Sequence, residues 1–111
     1  MTSEYEYQSN AGACCTKSNN YHERCEYQSP ISDCKALCDN DSNCKGYVGT
    51  TTEKCQTATT SLCESGGSKY DIGITGDLGG SCGGGYLGCY IKMTKGIGNC
   101  DNKLIFLSTL K

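Results

Sequence analysis

The chain has 111 residues, with 10 basic and 12 acidic side chains and a net charge of −2, so it is long enough for one domain and too short for two ordinary ones. Its acids and bases are interspersed, which excludes the basic patch of a nucleic-acid-binding protein. Eleven cysteines with one Phe and no Trp predict a core held by disulfides in an oxidising compartment. Zinc is the poorer interpretation, because there is no C-x2-C pair and His22 is the only histidine. No apolar run is long enough to predict a membrane span.

The N-terminal residues predict an extended arm. Residues 1–13 are polar and lack a helical period, and Tyr5 and Tyr7 within them fit an edge strand or an extended arm. Cys14 and Cys15 follow as an adjacent pair. Because a bond between neighbouring cysteines strains the ring that it closes, the two are expected to have different partners.

The next segment predicts the first core strand. Residues 22–27 include Cys25 and Tyr27, which are two residues apart and are expected to face inward. A catalytic cysteine would need a thiolate beside a positioned imidazole, and only His22 is available. Because cysteines of a disulfide scaffold are oxidised, such catalysis is not expected, and His22 is predicted to be a surface residue.

The strongest structural signals lie in the middle of the chain. Ser29 is predicted as a helix N-cap and Pro30 as the first helical residue, where its missing N–H costs nothing. Cys34 and Cys38 are four residues apart and therefore share one face of this helix. The polar run 39–43 is predicted to end the helix. Two strands are predicted to follow it, at residues 44–50 and 54–57.

This stretch resembles the PAN/apple family. The resemblance is carried by C-x3-C on a helix, a five-residue gap, Cys-x-Gly-Tyr on a strand and a fourth cysteine followed by a polar residue, and it is strongest over residues 25–60. In that family the first helical cysteine bonds the fourth and the second bonds the third, which implies the bridges Cys34–Cys55 and Cys38–Cys44. The resemblance also implies a non-catalytic module that binds protein or carbohydrate in adhesion or assembly.

The second half of the chain is rich in glycine and carries fewer signals. A strand is expected at residues 70–74, where apolar residues alternate before a cluster of glycines interrupts the pattern. The clearest later strand is predicted at residues 88–94, where the family's closing strand lies beside the first. The most apolar run, residues 103–110, is expected to be a buried or paired strand, although the family core does not require it.

Two further bridges are expected because the segments that carry their cysteines should lie close together. If the first and last core strands are adjacent, Cys25 bonds Cys89. A bridge between Cys63 and Cys82 would staple the glycine-rich region. Each bridge is expected to stabilise the fold by about 2–4 kcal/mol through loop closure.

The remaining cysteines lie near the ends of the chain. The apple branch of the family ties its termini together, which implies that Cys15, or alternatively Cys14, bonds Cys100. Five bridges use ten of the eleven cysteines. Cys14 is expected to be the odd one, either free and buried or bonded to another chain.

Two local patterns imitate functional motifs and fail at a required residue. The run 39–43 imitates the start of a calcium loop, but Cys44 stands where a glycine is needed and Thr50 where a bidentate Glu belongs. The glycine-rich stretch 79–85 lacks the Gly-Lys-Ser/Thr ending of a phosphate-binding loop. No two carboxylates are placed for acid–base work, so the chain is predicted to have no catalytic residues, metal or cofactor.

Two kinds of residue remain as candidates for recognition. Asn40 begins the sequence Asn-Asp-Ser, which is an acceptor for N-glycosylation at an exposed turn. Tyr70 and Tyr86 flank the glycine-rich region, where loops would present their amphipathic rings to a protein or a sugar. The alternative is that most of the eight tyrosines fill a core that is short of Phe and Trp.

The sequence therefore predicts one α+β domain, in which a small twisted antiparallel sheet packs with one short helix. Its core is expected at about residues 14–100, between the arm 1–13 and an apolar segment 101–111. The predicted function is a non-catalytic binding or adhesion module, secreted or on the cell surface. The alternative is a structural subunit of an extracellular filament, in which residues 103–111 add to a neighbour's sheet or an odd cysteine links two chains.

Overall fold

The computed structural model describes residues 2–9, 12–49, 53–82 and 88–93. Its elements in chain order are β1 (Tyr5–Gln8), β2 (Cys15–Thr16), β3 (Arg24–Tyr27), α1 (Ile31–Asp39), β4 (Gly46–Gly49), β5 (Cys55–Ala58), β6 (Gly67–Tyr70), β7 (Leu78–Gly80) and β8 (Cys89–Lys92). Tyr86, Cys100 and the segment 101–111 lie outside the described residues. The roles predicted for Tyr86 and for 101–111 therefore stay predictions.

Six strands form one antiparallel sheet in the order β1-β8-β4-β5-β3-β6, and β2 and β7 form a second, two-stranded sheet. The centre of the large sheet is the pair β4 and β5, in which every residue is buried. Within the described residues, β1 and β6 are its edges. The prediction of a small α+β domain with one short helix and an antiparallel sheet is confirmed for the described ranges. Of the two alternatives for the N-terminal residues, Tyr5 and Tyr7 lie in an edge strand of the sheet and not in a separate arm.

The helix begins one residue later than predicted. It runs over Ile31–Asp39, and Pro30 is its N-cap, with an extended backbone at φ −66° and ψ 162°. Ser29 is therefore not the cap; no side chain caps this end, and the Pro30 carbonyl accepts the first hydrogen bond of the helix. Cys34 and Cys38 are fully buried on its inner face, as their spacing predicts.

The two faces of the large sheet are covered by different partners. The face that packs on α1 has a core of cysteine and tyrosine, made of Cys25, Tyr27, Cys34, Cys38, Cys44, Tyr47 and Cys55. The opposite face packs on the β2–β7 sheet, with a core of Ala13, Cys14, Val48, Ala58, Leu78 and Cys89. Because side chains alternate along a strand, the neighbours Tyr47 and Val48 belong to opposite cores. The domain therefore has three layers.

The described residues contain five disulfides: Cys14–Cys89, Cys15–Cys82, Cys25–Cys63, Cys34–Cys55 and Cys38–Cys44. The last two are the bridges that the PAN/apple resemblance implies. They attach the first and last turns of α1 to the sheet, one at β5 and the other just before β4. The helix is thus held covalently at both ends.

The predicted bridge between Cys25 and Cys89 is wrong. Cys25 faces α1 while Cys89 faces the β2–β7 sheet, and their strands are separated by β4 and β5. Cys89 bonds Cys14 instead, with their Cα atoms 4.8 Å apart. Cys14 is therefore not the odd cysteine. The strand β8 pairs with β1 and β4 and not with the first core strand.

The predicted bridges Cys63–Cys82 and Cys15–Cys100 are also wrong. Cys63 bonds Cys25. The pairing of β2 with β7 brings Cys15 and Cys82 together, with their Cα atoms 6.0 Å apart. Ten of the eleven cysteines are thus joined to one another, and the eleventh is Cys100.

The strand predicted at residues 70–74 lies earlier in the chain. The structure has β6 at Gly67–Tyr70, paired with β3. The chain then leaves the sheet. Gly73 turns it with a positive φ of 75°, and Ile72 is exposed. The Ile74 carbonyl accepts a hydrogen bond from the Glu23 N–H at 2.7 Å, outside the strand ladder. The apolar alternation of this segment therefore does not mark a strand.

We expect the Cys34–Cys55 bridge to stabilise the domain more than the Cys38–Cys44 bridge. With the other bridges intact, the first closes a loop of about 15 residues, counted through the Cys38–Cys44 bridge, and the second closes a loop of 6, for which loop entropy gives about 3 and about 2 kcal/mol. Each pair is replaced by alanines, and the free energy of unfolding is measured in urea. Because all four cysteines are buried, the two double variants are matched. Equal losses, or a larger loss for the short bridge, would contradict the expectation.

Candidate binding surface

Tyr70, one of the two tyrosines predicted to bind a ligand, lies at the end of the edge strand β6. Its partner in the β3–β6 ladder is Arg24, whose guanidinium carbon lies 4.4 Å from the centre of the Tyr70 ring. The ring of Tyr21 lies 5.5 Å from the same carbon. We call these three side chains the Tyr21–Arg24–Tyr70 cluster.

Strand alternation places this cluster on the sheet face opposite to α1. Cys25 and Tyr27 of β3 face the helix, so Arg24 faces the other way. Tyr21 is positioned by an isolated β-bridge to Cys15. Sequence reasoning missed Tyr21 and Arg24. The approach of Arg24 to Tyr70 depends on the register of β3 against β6, and that of Tyr21 to Arg24 on the bridge between Tyr21 and Cys15, and no local pattern reports either.

The cluster combines exposed aromatic surface with a constrained cation. The Tyr21 side chain is 39 % exposed, and Ile72, two residues beyond Tyr70, is 44 % exposed. The Arg24 Nε is buried and has no hydrogen-bond partner among the described residues. A guanidinium held against aromatic rings is preorganised, so it loses little further freedom when it binds.

Four other tyrosines form a continuous stack on the α1 side of the sheet. The rings of Tyr47 and Tyr90 are parallel with centroids 4.9 Å apart, and Tyr5 and Tyr7 contact this pair at 5.0 and 4.8 Å. Burial raises the pKa of Tyr47 to about 12, and the nearby Tyr90 and Asp39 add to the rise. Tyrosine therefore serves as the large core residue on this side.

The edge strand β1 is tied to the end of the helix through Asp39. Its carboxylate accepts hydrogen bonds from the Tyr5 hydroxyl at 2.7 Å and the Ser3 N–H at 3.0 Å, and it pairs with Lys35 at 3.1 Å. Burial alone would raise the pKa of Asp39, but these hydrogen bonds outweigh it and lower the pKa.

The loop that imitates a calcium site uses Asp41 as a structural acceptor. The carboxylate accepts hydrogen bonds from Thr59 Oγ1 at 2.6 Å, Ser61 Oγ at 2.7 Å and the Asn43 N–H at 2.9 Å. Burial by itself would raise the pKa of Asp41, but these hydrogen bonds outweigh it and lower the pKa. In the described part of the chain, no three His, Cys, Asp or Glu side chains are grouped to hold a metal. The loop joins α1 to the segment after β5.

Asp41→Asn is expected to reduce the free energy of unfolding by about 1–3 kcal/mol, because an amide nitrogen would then face a hydroxyl or N–H donor. The lowered pKa means that the Asp41 contribution is present above about pH 4 and is lost as the pH falls through the lowered value. The difference between wild type and D41N in urea unfolding should therefore shrink in acid. Asp71→Asn, at an exposed position, is the control and should have little effect. A pH-independent difference would contradict this account.

Asn40 is exposed at the C-terminal end of α1. Its backbone N–H and its side-chain amide both donate to the Ala36 carbonyl, at 3.2 and 3.1 Å. The residue lines a shallow groove of about 390 Å³ together with Leu37 and Leu62. The Leu62 side chain is 89 % exposed. The acceptor asparagine predicted for glycosylation is thus accessible in the folded chain.

His22 is buried, with 1 % exposure, so the prediction of a surface histidine is wrong. Its Nδ1 lies 2.6 Å from the Glu23 carbonyl, and its Nε2 has no hydrogen-bond partner in the described ranges. The neighbouring Glu23 carboxylate pairs with Lys69 at 3.0 Å. Burial lowers the pKa of His22, and the positive charges of Lys45 and Lys69 add to the decrease. All ten described cysteines are in disulfides, so His22 has no thiol to activate there.

We expect the wild-type protein to lose stability as the pH falls from about 7 to about 5. The folded state holds His22 neutral while the unfolded chain takes up a proton, so the contribution of His22 is complete above its unfolded pKa and decreases as the pH falls toward the lowered folded value. Urea unfolding at the two pH values measures the effect. In His22→Gln the slope over this range should be reduced, whereas an unchanged slope would show that another group causes it.

No family model, curated protein or solved structure matches this chain. The PAN/apple resemblance therefore rests on the cysteine pattern, and the functional assignment rests on the geometry described above. No helix in ranges 2–9, 12–49, 53–82 and 88–93 is long and apolar enough to cross a membrane.

Proposed function

We propose that this chain is a non-catalytic extracellular binding module of the PAN/apple type, which recognises protein or carbohydrate through the Tyr21–Arg24–Tyr70 cluster. The observation that supports this most directly is the packing of the Arg24 guanidinium on two tyrosine rings at a sheet edge, at 4.4 and 5.5 Å. The cluster uses Tyr70, which the sequence singled out, and adds two side chains that complete a recognition surface.

The chemistry of the cluster suits recognition. Tyrosine and arginine are the residues, with tryptophan, that contribute most of the binding energy in protein interfaces. A tyrosine ring also offers a flat apolar face for a sugar ring and a hydroxyl at its edge for a hydrogen bond. The exposed Ile72 beside Tyr70 would add apolar contact area.

Disulfide content supports the extracellular part of the proposal. Five disulfides in so small a domain are typical of an oxidising environment, since thiols stay reduced in the cytosol. The covalent attachment of α1 to the sheet at both ends supports the PAN/apple assignment. We further propose that Asn40, exposed at the end of α1, carries an N-linked glycan on the helix side and leaves the cluster, on the opposite side, uncovered.

Tyr70→Ala and Tyr21→Ala are each expected to weaken ligand binding by roughly tenfold or more, the effect of removing a well-packed interface aromatic. The wild-type protein is first applied to arrays of glycans and of purified extracellular matrix proteins, and the strongest binder is then titrated against each variant. Tyr7→Ala is the matched control, since Tyr7 is 48 % exposed on the opposite edge strand. Equal affinity of the cluster variants and wild type would refute the proposed surface.

A filament subunit is the second candidate. It is favoured by the two edge strands β1 and β6, each of which pairs on one side only within the described residues and so offers a template for strand addition. Because Cys14 bonds Cys89 within the chain, the cysteine proposed to link two chains is Cys100, the one that is not in the five bridges. Disulfide-linked oligomers that disappear in Cys100→Ser, seen by non-reducing electrophoresis and light scattering, would favour this candidate. A monodisperse monomer in both forms would exclude covalent assembly through Cys100.

A further inference from the structure

A second cavity, of about 560 Å³, lies between the β2–β7 sheet and the end of the large sheet. Three lysines stand around it: Lys17 from the turn after β2, Lys45 from the residue before β4, and Lys92 from the end of β8. None of these residues belongs to the Tyr21–Arg24–Tyr70 cluster. The volume lies within the range of small-molecule sites, which is about 300–1,000 Å³.

Backbone hydrogen bonds position all three lysines. The Lys17 N–H donates to the Asp77 carbonyl at 3.0 Å, the Lys45 N–H to the Ala58 carbonyl at 2.8 Å, and the Lys92 N–H to the Lys45 carbonyl at 2.9 Å. The lysines are distant in sequence, and the fold brings them to one cavity. The site is therefore a product of the tertiary structure and not a run of basic residues.

The positive charge around this cavity is poorly compensated. Asp77 is the one acidic residue among its described lining, and it lies 3.7 Å from Lys45 with its own side chain 79 % exposed. An exposed pair of that length contributes little. The charge of Lys92 is offset by the nearby Asp41 and Asp39, so Lys17 and Lys45 against Asp77 leave a local charge of +1, in a chain whose net charge is −2. An anion is thus the ligand that the local field favours.

Lys92 provides a fixed donor. Its ammonium donates to the Cys38 carbonyl at 2.6 Å and to the Asp41 carbonyl at 3.1 Å, both at the end of α1. Burial lowers the pKa of Lys92, although Asp41 and Asp39 act in the opposite direction. An ammonium has three N–H donors, so one remains for a ligand after the two carbonyls are satisfied.

The rest of the lining indicates the kind of anion. Leu78, which is 6 % exposed, and Ile91 supply an apolar floor. Ser42, Asn43 and Thr60 supply neutral hydroxyl and amide groups. Cations together with neutral hydrogen-bonding groups and a small apolar surface match a ring that carries both hydroxyls and one acidic group. A peptide would instead require partners for its backbone amides, and these side chains do not form such a ladder.

We propose that the cavity rimmed by Lys17, Lys45 and Lys92 binds an acidic sugar, a pyranose that carries a carboxylate. The carboxylate lies among the three ammonium groups, and the ring packs on Leu78 and Ile91. The sugar hydroxyls exchange hydrogen bonds with Ser42, Asn43 and Thr60. The same chemistry is presented by a free sugar acid and by the terminal residue of a glycan.

Two ligands that differ only in the acidic group test the proposal. Uniformly ¹⁵N-labelled, disulfide-bonded protein is titrated with methyl glucuronide and with methyl glucoside, and amide shifts are followed by NMR. We expect the glucuronide alone to shift the amides of Lys17, Lys45, Leu78 and Lys92, with weaker binding as salt is added. Equal shifts with both ligands, or no shift with the glucuronide at millimolar concentration, would overturn the proposal. So would a glutamate-rich peptide that shifts these amides when the glucuronide does not.

The variants Lys17→Gln and Lys45→Gln each remove one charge while keeping the fold, since only their backbone groups make the hydrogen bonds described above. Each is expected to weaken glucuronide binding by roughly threefold to tenfold. Lys54→Gln, an exposed lysine outside the cavity, is the control and should bind as wild type. Unchanged affinity in both rim variants, or an equal loss in the control, would overturn the site. An oligosaccharide that ends in glucuronate, titrated in parallel, identifies a glycan terminus as the source if it binds more tightly than the methyl glucuronide, and a free sugar acid if it does not.

Discussion

The two bridges that attach α1 to the large sheet supplement a small apolar contact, in which Ile31 and Leu37 are only partly buried. The helix has nine residues, of which only Cys34 and Cys38 are buried, and burial of two small side chains does not offset the entropy of ordering so short a helix. The bonds to Cys55 and Cys44 remove much of that entropy from the unfolded chain. The opposite face follows the same rule, because Cys14–Cys89 fixes the small β2–β7 side of the domain to a core that includes only a few aliphatic residues.

Hydrogen bonds to charged side chains also hold distant parts of the chain together. Around the end of α1, the Asp39 carboxylate accepts a hydrogen bond from β1 and the Asp41 carboxylate accepts one from the segment after β5. Lys92, at the end of β8, donates to two backbone carbonyls at this end of the helix. Each of these contacts joins parts of the chain that are far apart in sequence. The acidic loop after the helix is therefore a structural junction.

A fold held by sulfur and by charged hydrogen bonds leaves its surface residues available for recognition. The Tyr21–Arg24–Tyr70 cluster lies on the face opposite to α1, at the β6 edge, and offers aromatic faces with a stacked guanidinium. The lysine cavity lies between the two sheets and offers positive charge over a small apolar floor. The two surfaces use different residues and different chemistry, so a ligand for one does not predict a ligand for the other. The proposed binding role therefore involves two separate sites.

Local patterns in the sequence were sufficient for the elements whose signals lie within a few residues. The four-residue spacing of Cys34 and Cys38 determined their shared helix face, and the alternation of Cys25 and Tyr27 determined which side of β3 is buried. The sequence alone did not determine the partners of Cys14 and Cys25, the burial of His22, or the convergence of the three lysines. Those features depend on strand order and register, which are set by contacts between distant residues that compete across the whole chain. Only the tertiary structure decides between such pairings. Each alternative strand order satisfies the local pattern equally well, and the alternatives differ only in which distant residues they place in contact.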